Sequence, residues 1–503
     1  MGVSPSAQIH REPSYLDAAL PLAALIVLVG SAMALFGLAA MDGPLQVALI
    51  LSAMVTALIL LKNGHSWEEI AEAGRKGVSS VVSAIFILFA VGALIGTWNM
   101  AGTIPTLVFY GLEFIDPDWF YLASALICGA ISLCIGSSWT TAGTVGVGLV
   151  GLATLSGVSP AVTAGAVISG AYLGDKLSPL SETTVLAAQL TGNDIRVHLR
   201  AQLRTSAPAF AIAVVLFTLL GLADGSNSAS EAVVESELAA LDGLFHITYL
   251  NLAPLALLVG LAVFRVPTSL AIMTAALFAG LLAPFLQPQA VLRFVGAAEL
   301  GPPAVHVKGI WQALATGYEA NSGIEVVDRL VSRGGMDSML TTVWLIMGAL
   351  VFGSLLDEFG LLAKLVTPVL RRANTAGRLV ASVTGTAIGL NVVAGDQYVA
   401  LVLPARLFRA EFEERGLPTT GLSRTIADAG TVTSPLVPWN SCGAYMSAVL
   451  GVPTLLYVPF SFFNIASPLM TLALGTRLRG TEALPAGTEL NPDDERQAHE
   501  TGP

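Results

Sequence analysis

The chain alternates between long, largely uncharged apolar windows and short polar stretches. The windows of helix-spanning length lie at residues 15–40, 44–61, 78–98, 119–136, 140–156, 158–174, 205–223, 249–264, 268–286, 338–356, 376–394, 436–450 and 454–476. As helices, such windows can each cross a hydrocarbon core ~30 Å thick. The pattern predicts an all-α polytopic membrane protein in which some of the middle windows are broken or re-entrant.

The composition agrees with a membrane protein. Of the 503 residues, 54% are hydrophobic and only 12% are charged, whereas soluble domains carry about 25% charged residues. We place the six histidines in loops or tails, and no His/Cys cluster has metal-ligand spacing. These features argue against a metalloenzyme and against an intramembrane histidine relay. We expect the lipid bilayer as the surroundings and no nucleic-acid partner, and we leave open whether the chain forms a homodimer.

An acidic segment divides the chain near its middle. The predicted organisation is an N-terminal tail at 1–14, a first transmembrane repeat at 15–223, an acidic extracytoplasmic linker at 224–247, a second transmembrane repeat at 248–476 and a disordered cytoplasmic tail at 477–503. Three short landmarks recur in order, namely "GAL" at 92–94 and 348–350, "AG" at 142–143 and 394–395, and "SPL" at 178–180 and 434–436. Their nearly constant offset indicates an internal duplication.

The charges of the loops predict how the halves are oriented. Arg and Lys concentrate in the segments 194–204, 361–378 and 405–424, and basic loops mark the cytoplasmic side. The matching segments of the other half, 102–118 and 148–158, contain no Lys or Arg. Matching loops on opposite sides of the membrane are typical of two inverted-topology repeats with broken or re-entrant helices. A parallel repeat remains the alternative, and both termini are expected in the cytoplasm.

Polar residues concentrate in four stretches beside or inside apolar windows. They are "CIGSSWTTAGTVGVG" (134–148), "GDKLSPLSETT" (174–184), "GLNVVAGDQYV" (389–399) and "IADAGTVTSPLVPWNSCG" (426–443). A charge at the bilayer centre costs at least ~2.5 kcal/mol and therefore faces a bundle interior or a cavity. Carboxylates, hydroxyls, amides and main-chain carbonyls are also the oxygen ligands of a small cation at a broken helix.

These stretches supply the candidate residues. The cation- and proton-binding candidates are Asp175, Asp396, Asp428, Ser178, Glu182, Thr183, Thr184, Thr433, Ser434 and Asn440, followed in second place by Ser137, Ser138, Thr140, Thr141, Thr144, Lys176, Asn391 and Trp439. A buried carboxylate is neutralised either by a proton or by a cation, and this competition can couple two opposite fluxes. The sequence does not decide which aspartate titrates.

Simpler roles are open for each candidate. Asp175 and Lys176 could form a compensated pair at a helix end, and Asp396 and Asp428 could be N-caps of re-entrant helices. Runs of Ser, Thr and Gly also serve as packing surfaces between membrane helices. Capping by an aspartate does not exclude contact with a cation.

Three sequence motifs bear on other classes of protein. "GVGLVG" (146–151) matches a dinucleotide fingerprint but lies in an apolar window without the required strand. The absence of a Walker A sequence argues against an ATP-driven pump. Two "GD" pairs, at 174–175 and 395–396, raise the remote alternative of an intramembrane aspartyl protease. The G-x-G-D motif of such proteases is incomplete, because Tyr172 and Val393 replace its first glycine.

The polar stretches resemble the signature blocks of the NhaC family of Na+/H+ antiporters. The blocks are "GSSWTTAGTVG" (136–146), "VTAGAVISGAYLGDKLSPLSETT" (162–184), "NVVAGDQY" (391–398) and "LSRTIADAGTVTSPLVPWNSCGAYM" (422–446). Glu182 stands where the family usually has Asp, so the charge is kept. The resemblance covers most of the chain.

The resemblance implies a secondary carrier of the ion transporter superfamily in the inner membrane of a bacterial cell. The expected activity is exchange of cytoplasmic Na+ for external H+ at a shared midplane carboxylate site, with no cofactor besides the transported ions. Some relatives resemble sodium-coupled malate/lactate exchangers, which gives the alternative of an organic-anion exchanger. Lys176 is the one obvious cation at the predicted site, which disfavours a dicarboxylate.

Overall fold

The computed structural model describes residues 11–475 except 115, 225–238, 240, 297–300, 324–327, 329–330 and 372. Within these residues every regular element is a helix. Most of the predicted N-terminal tail, most of the acidic linker and the whole predicted C-terminal tail lie outside the described residues. The boundaries predicted for those segments therefore stay predictions.

The first half contains ten helices within the described residues. They are α1 (Tyr15–Phe36), α2 (Pro44–Lys62), α3 (Trp67–Met100), α4 (Thr103–Phe114), α5 (Phe120–Ile135), α6 (Ser138–Thr141), α7 (Val147–Leu155), α8 (Pro160–Leu177), α9 (Glu182–Leu190) and α10 (Ile195–Asp224). A π-helical segment, Ala142–Gly146, joins α6 to α7.

The second half continues in the same manner over its described residues. Its helices are α11 (Ala253–Val263), α12 (Thr268–Leu286), α13 (Pro288–Val295), α14 (Pro302–Ala315), α15 (Leu340–Glu358), α16 (Leu361–Arg371), α17 (Ala376–Val393), α18 (Gln397–Glu414), α19 (Thr419–Ile426), α20 (Ser441–Leu450), α21 (Thr454–Tyr457) and α22 (Phe462–Gly475). A second π-helical segment, Ala427–Thr431, follows α19.

The chain is an all-α polytopic membrane protein. In the described part, eight helices are long and apolar enough to cross a membrane, and nine if one bent pair counts as a span. That pair, Ser441–Leu450 and Thr454–Phe460, bends by 89°. The windows predicted at 436–450 and 454–476 are therefore not two straight spans. Left-handed Gly451 and the following Pro453 end one helix and redirect the chain.

The prediction of broken helices is confirmed, and the first break recurs in both halves. Gly136 (φ 78°) ends α5, and Ser137 then caps α6. Gly395 (φ 65°) follows α17 in the same way, and Asp396 caps α18. Glycine suits both positions because it adopts positive φ at little steric cost. The two breaks have the same order of left-handed glycine and polar cap, 259 residues apart.

A second break also recurs. After α8, Ser178 is extended and Ser181 caps α9. In the other half Val437 is extended and Asn440 caps α20. The two "SPL" tripeptides do not occupy matching positions in these breaks, because Ser178 is itself the extended residue, whereas Ser434–Leu436 forms a 3-10 helix before extended Val437.

The "AG" landmark of the sequence does not mark matching structure. Gly143 lies inside a π-helical segment, whereas Gly395 is the left-handed residue of a helix break. The structural counterpart of Gly395 is Gly136, because both precede a polar N-cap. The inverted orientation of the two repeats stays a prediction.

Close packing of α5 against α8 positions the polar breaks beside each other. A Cβ atom on Gly170 would lie 2.2 Å from the carbonyl oxygen of Ala125, and one on Gly174 would lie 2.3 Å from Cβ of Ser132. Small residues let membrane helices approach backbone to backbone in this way. The last turn of α8 is thereby held against the break that begins at Gly136.

Candidate functional site

A cavity of about 240 Å³ lies where the first breaks of the two halves meet. Its polar lining consists of Ser83, Ser137, Ser138, Asp175, Glu182, Thr183, Thr268, Asp396, Gln397, Tyr398 and Ser441, together with the indole of Trp139. Both halves of the chain contribute a carboxylate. The lining residues include no Lys, Arg or His.

Asp175 is the carboxylate of this cavity that accepts three hydrogen bonds from side-chain hydroxyls. It lies in the last turn of α8 and is 6% exposed. The donors are Ser138 Oγ at 2.7 Å, Ser181 Oγ at 2.5 Å and Thr183 Oγ1 at 3.2 Å. A hydroxyl also carries two acceptor lone pairs. The same groups can therefore turn their oxygens toward a bound cation.

Asp396 combines two roles that the sequence left open. Its side chain caps α18, accepting from the backbone N–H of Tyr398 at 2.5 Å and of Val399 at 3.3 Å. The capping hypothesis for Asp396 is therefore confirmed. The residue also lines the cavity and is 7% exposed. One carboxylate can cap a helix and still present an oxygen to the cavity.

Glu182 and Tyr398 form the exposed side of the cavity. Glu182 is the first residue of α9, and Tyr398 lies in the first turn of α18. The phenol of Tyr398 donates to Glu182 Oε2 at 3.1 Å. This hydrogen bond joins the two halves across the cavity.

Asp428 does not belong to this cavity. It lies in the second π-helical segment, has no exposed surface, and forms an ion pair with Lys176. Its other donors are the hydroxyls of Thr205 on α10 and of Ser467 and Thr471 on α22. The N-cap hypothesis for Asp428 is wrong, because the residue sits within a helical segment. We call Lys176, Asp428, Thr205, Ser467 and Thr471 the buried ion-pair cluster.

Two consecutive residues of α8, Asp175 and Lys176, therefore belong to two different sites, the cavity and the buried ion-pair cluster. Helical neighbours point about 100° apart, so Asp175 faces the cavity while Lys176 reaches Asp428. The Lys176 ammonium also donates to Ser467 Oγ at 2.8 Å and lies 5.6 Å from the ring centre of Phe463. The simpler alternative of a compensated pair between Asp175 and Lys176 is wrong, because Lys176 pairs with Asp428. Lys176 is not a lining residue of the cavity.

Several candidates of the second half brace the π-helical segment. Asn391 Nδ2 donates to the carbonyl oxygen of Gly430 at 2.6 Å and to Thr433 Oγ1 at 3.0 Å. Asn440 Nδ2 donates to Asn391 Oδ1 at 3.1 Å. Trp439 donates to the Val392 carbonyl at 2.6 Å. Asn391 therefore braces the π-helical segment that carries Asp428, Asn440 orients Asn391, and Trp439 bonds to the end of α17.

The remaining hydroxyl candidates bond to backbone or to neighbouring side chains. Ser178 Oγ accepts from the Leu180 N–H at 3.3 Å, Thr184 donates to the Asp175 carbonyl at 2.8 Å, Thr141 donates to the Ser137 carbonyl at 2.9 Å, Thr144 donates to the Thr140 carbonyl at 2.7 Å, Thr140 donates to Ser137 Oγ at 2.9 Å, and Ser434 donates to the Thr431 carbonyl at 2.7 Å. They stabilise the helix ends that border the cavity.

Sequence reasoning missed several residues of the cavity and of the buried ion-pair cluster. Ser181 follows from the capping pattern of α9, since it stands just before the helix. Thr205, Ser467 and Thr471 are single hydroxyls in apolar windows, and no local pattern distinguishes them from packing residues. His198 and His306 were predicted in loops or tails, but His198 is buried in α10 and His306 lies in α14. That prediction is wrong.

Broken helices from two halves, meeting at a buried carboxylate cavity within a helical membrane domain, define a secondary membrane carrier. The sequence profile of the Na+/H+ antiporter family matches residues 14–205 and 170–476. The chain belongs to this family.

Three relatives show the range of the family. The chain is 36% identical to the Na(+)/H(+) antiporter NhaC of Alkalihalophilus pseudofirmus, over 86% of this chain and 89% of that protein. It is 34% identical to the malate-2H(+)/Na(+)-lactate antiporter of Bacillus subtilis, over 86% of this chain and 90% of that protein. It is also 34% identical to the arginine/ornithine antiporter ArcD of Halobacterium salinarum, over 93% of this chain and 92% of that protein. These relatives are antiporters, so the predicted family and the prediction of a transporter rather than an enzyme are confirmed.

Proposed function

We propose that the protein exchanges cytoplasmic Na+ for external H+, and that Na+ binds in the cavity between Asp175 and Asp396. The observation that carries this proposal is the pairing of one buried carboxylate from each half in a cavity rich in hydroxyl oxygens. Repeat-built carriers place coupling ions at the interface of their repeats, beside unwound backbone. The NhaC relative is named an Na(+)/H(+) antiporter, which supports exchange of these two ions.

The geometry supports competition between the two ions at Asp175. Three hydroxyls satisfy its carboxylate without a cation. Incoming Na+ would take the carboxylate oxygens and the hydroxyl lone pairs, whereas a proton would bind the carboxylate directly. Because one carboxylate cannot hold both comfortably, each ion displaces the other. Asp396 adds the second negative charge.

The positions of the arginines support one orientation of the protein in the membrane. α10 carries Arg196 and Arg200 near its start, and α18 carries Arg406 and Arg409 toward its end. By the positive-inside rule these ends lie in the cytoplasm. We infer a bacterial plasma membrane location with both termini in the cytoplasm.

Proton flux in proteoliposomes tests the proposal. Dissipation of a pH gradient is recorded on adding NaCl, KCl, sodium malate or arginine hydrochloride. The proposal expects a response to NaCl that falls at least tenfold in Asp175→Asn and Asp396→Asn. Exposed Glu68→Gln on α3 serves as the matched control and should respond like wild type. A full NaCl response in both aspartate variants would contradict the site.

The lining of the cavity bears on the alternative substrates. The malate/lactate relative supports an organic-anion exchanger, but a lining with Asp175, Glu182 and Asp396 and no basic residue favours a cation. Charge complementarity therefore makes a small organic cation the second candidate, in line with the name of the arginine/ornithine relative. A response to arginine in the absence of Na+ would establish this second candidate.

A further inference from the structure

A second cavity, of about 350 Å³, lies beside the cavity that contains Asp175 and Asp396. Its polar lining residues are Arg265, Thr140 and Thr268, and all its other lining residues are apolar. Arg265 is the one charged residue in this lining. We call the second cavity the arginine pocket. The two neighbouring cavities therefore differ in charge, since carboxylates line the first and an arginine lines the second.

Arg265 brings an unpaired positive charge to the arginine pocket. It lies in the turn between α11 and α12 with a φ of 59°, and its backbone N–H donates to the Ala262 carbonyl at 3.0 Å. Its guanidinium forms no hydrogen bond or ion pair with any residue that the structure describes. A charged group beside apolar surroundings is costly unless an opposite charge accompanies it. The pocket therefore suits an anionic group.

The arginine pocket borders lipid. It lies where α5 ends and α12 begins, and both helices are long and apolar enough to cross a membrane. Large apolar side chains close to Arg265 are exposed, with Phe264 83% exposed and Val263 and Leu270 more than half exposed. Exposed apolar surface of this kind on a membrane protein is a lipid-contacting surface. A ligand of the pocket therefore has hydrocarbon next to its anionic group.

Both helices reach the arginine pocket with the end that faces the cytoplasm. Tyr121, at the start of α5, donates to Asp224 at 2.8 Å, and Gln287, just after α12, accepts from the backbone N–H of His246 at 2.9 Å. Asp224 and His246 belong to the predicted extracytoplasmic linker. The opposite ends of α5 and α12, which line the pocket, are therefore directed toward the cytoplasmic leaflet.

We propose that the arginine pocket binds the phosphate of an anionic phospholipid from the cytoplasmic leaflet. A guanidinium presents several N–H donors in a planar fork that matches phosphate oxygens, and the Thr268 hydroxyl adds a further donor. Basic pockets between membrane helices on the cytoplasmic side bind anionic headgroups in this way. A headgroup with one net negative charge balances Arg265. This binding does not depend on the proposed Na+/H+ exchange.

The apolar part of the pocket favours a lipid over a soluble anion. Its apolar lining includes Ile135, Leu180 and Ala262. A small hydrated anion gains nothing from these side chains, whereas the glycerol backbone and first methylenes of a phospholipid would remove apolar surface from water. The acyl chains can then continue along exposed Val263 and Phe264.

Lipid binding to the purified full-length protein tests the proposal. The protein is delipidated in an uncharged detergent, and dioleoyl-phosphatidylglycerol, dioleoyl-phosphatidylcholine or sodium phosphate is then added. Binding is followed as the rise in melting temperature, since a bound ligand stabilises the folded state, and as lipid adducts in native mass spectrometry. The variants are Arg265→Gln and Arg265→Lys, with exposed Arg378→Gln on α17 as the matched arginine control. Glutamine is also unbranched at Cβ, so the backbone cost of the positive φ stays the same.

We expect phosphatidylglycerol, but neither phosphatidylcholine nor sodium phosphate, to stabilise wild type and to form adducts. Arg265→Gln should bind phosphatidylglycerol about tenfold more weakly, because a charge-assisted hydrogen bond is lost. Arg265→Lys should bind with intermediate affinity, and Arg378→Gln should match wild type.

Three results would overturn the lipid site. Equal phosphatidylglycerol binding by wild type and Arg265→Gln would show that Arg265 does not hold the headgroup. Equal stabilisation by sodium phosphate and phosphatidylglycerol would define a site for a soluble anion instead. Equal binding of phosphatidylcholine, or an equal loss in Arg378→Gln, would show that the lipid association is not specific to this pocket.

Discussion

Replacing Lys176 by methionine should destabilise the protein severely. The Lys176 ammonium forms an ion pair with Asp428, and both residues are at most 1% exposed. Lys176→Met leaves a buried carboxylate without its counter-ion, and removing one partner of a buried ion pair typically costs about 3–5 kcal/mol. The hydroxyls of Ser467, Thr205 and Thr471 remain as donors. We therefore expect the lower half of that range.

A second substitution should restore most of the lost stability. Asp428→Asn in the Lys176→Met background removes the uncompensated charge, and a neutral pair of similar volume is often as stable as the ion pair. The double variant should therefore be at least 2 kcal/mol more stable than Lys176→Met alone, and comparison with both single variants should reveal a coupling energy between the two touching residues. This comparison separates charge compensation from the loss of lysine packing.

The assay is equilibrium or thermal unfolding of purified protein in detergent for wild type, both single variants and the double variant. Lys364→Met on α16 is a matched lysine control, because its side chain is not buried. The reasoning is refuted if Lys176→Met lies within 1 kcal/mol of wild type. It is also refuted if the double variant is no more stable than Lys176→Met.

Two further predictions concern the residues that position the cavity. Gly174→Ala should lower stability by about 1–3 kcal/mol, because its new Cβ would overlap Ser132 at 2.3 Å; Gly385→Ala on α17, with open space around it, should be neutral in the same thermal unfolding assay. Asp396→Asn should keep the cap of α18 and lose Na+-driven flux, whereas Asp396→Ala should also lose about 1 kcal/mol of stability. Equal stability of the two Asp396 variants would show that the cap contributes little.

The sequence predicts the class of fold because the bilayer restricts the choices. Backbone groups in hydrocarbon must be satisfied within the segment, so long apolar windows become helices. Breaks were also predictable, because Gly136 and Gly395 each stand beside a polar cap in an apolar setting. Asp175 and Asp396 were predicted as candidates from the same signal, a polar residue beside a glycine in an apolar setting. Their position in one cavity depends on packing between the halves, which local pattern does not contain.

The buried ion-pair cluster shows where sequence reasoning stops. Asp175 and Lys176 are adjacent in the chain, and adjacency suggested that they neutralise each other. The helix turns them in different directions, and Lys176 instead reaches Asp428, 252 residues later. The prediction that His198 lies in a loop was wrong for a related reason, because the charged N-terminal stretch of α10 resembles a loop in sequence. Only tertiary packing places its ring beside Ser423.

The two consecutive residues at the end of α8 also suggest how the ions are coupled. Na+ at Asp175 would draw Ser138, Ser181 and Thr183 toward itself and so shift the last turn of α8 against the first break. The same turn carries Lys176, so this shift changes the distance from its ammonium to Asp428. A carboxylate that loses its cationic partner binds a proton more readily, and one that regains it releases the proton. A rigid helical turn can therefore make the protonation of Asp428 respond to the ion that occupies Asp175 in the cavity.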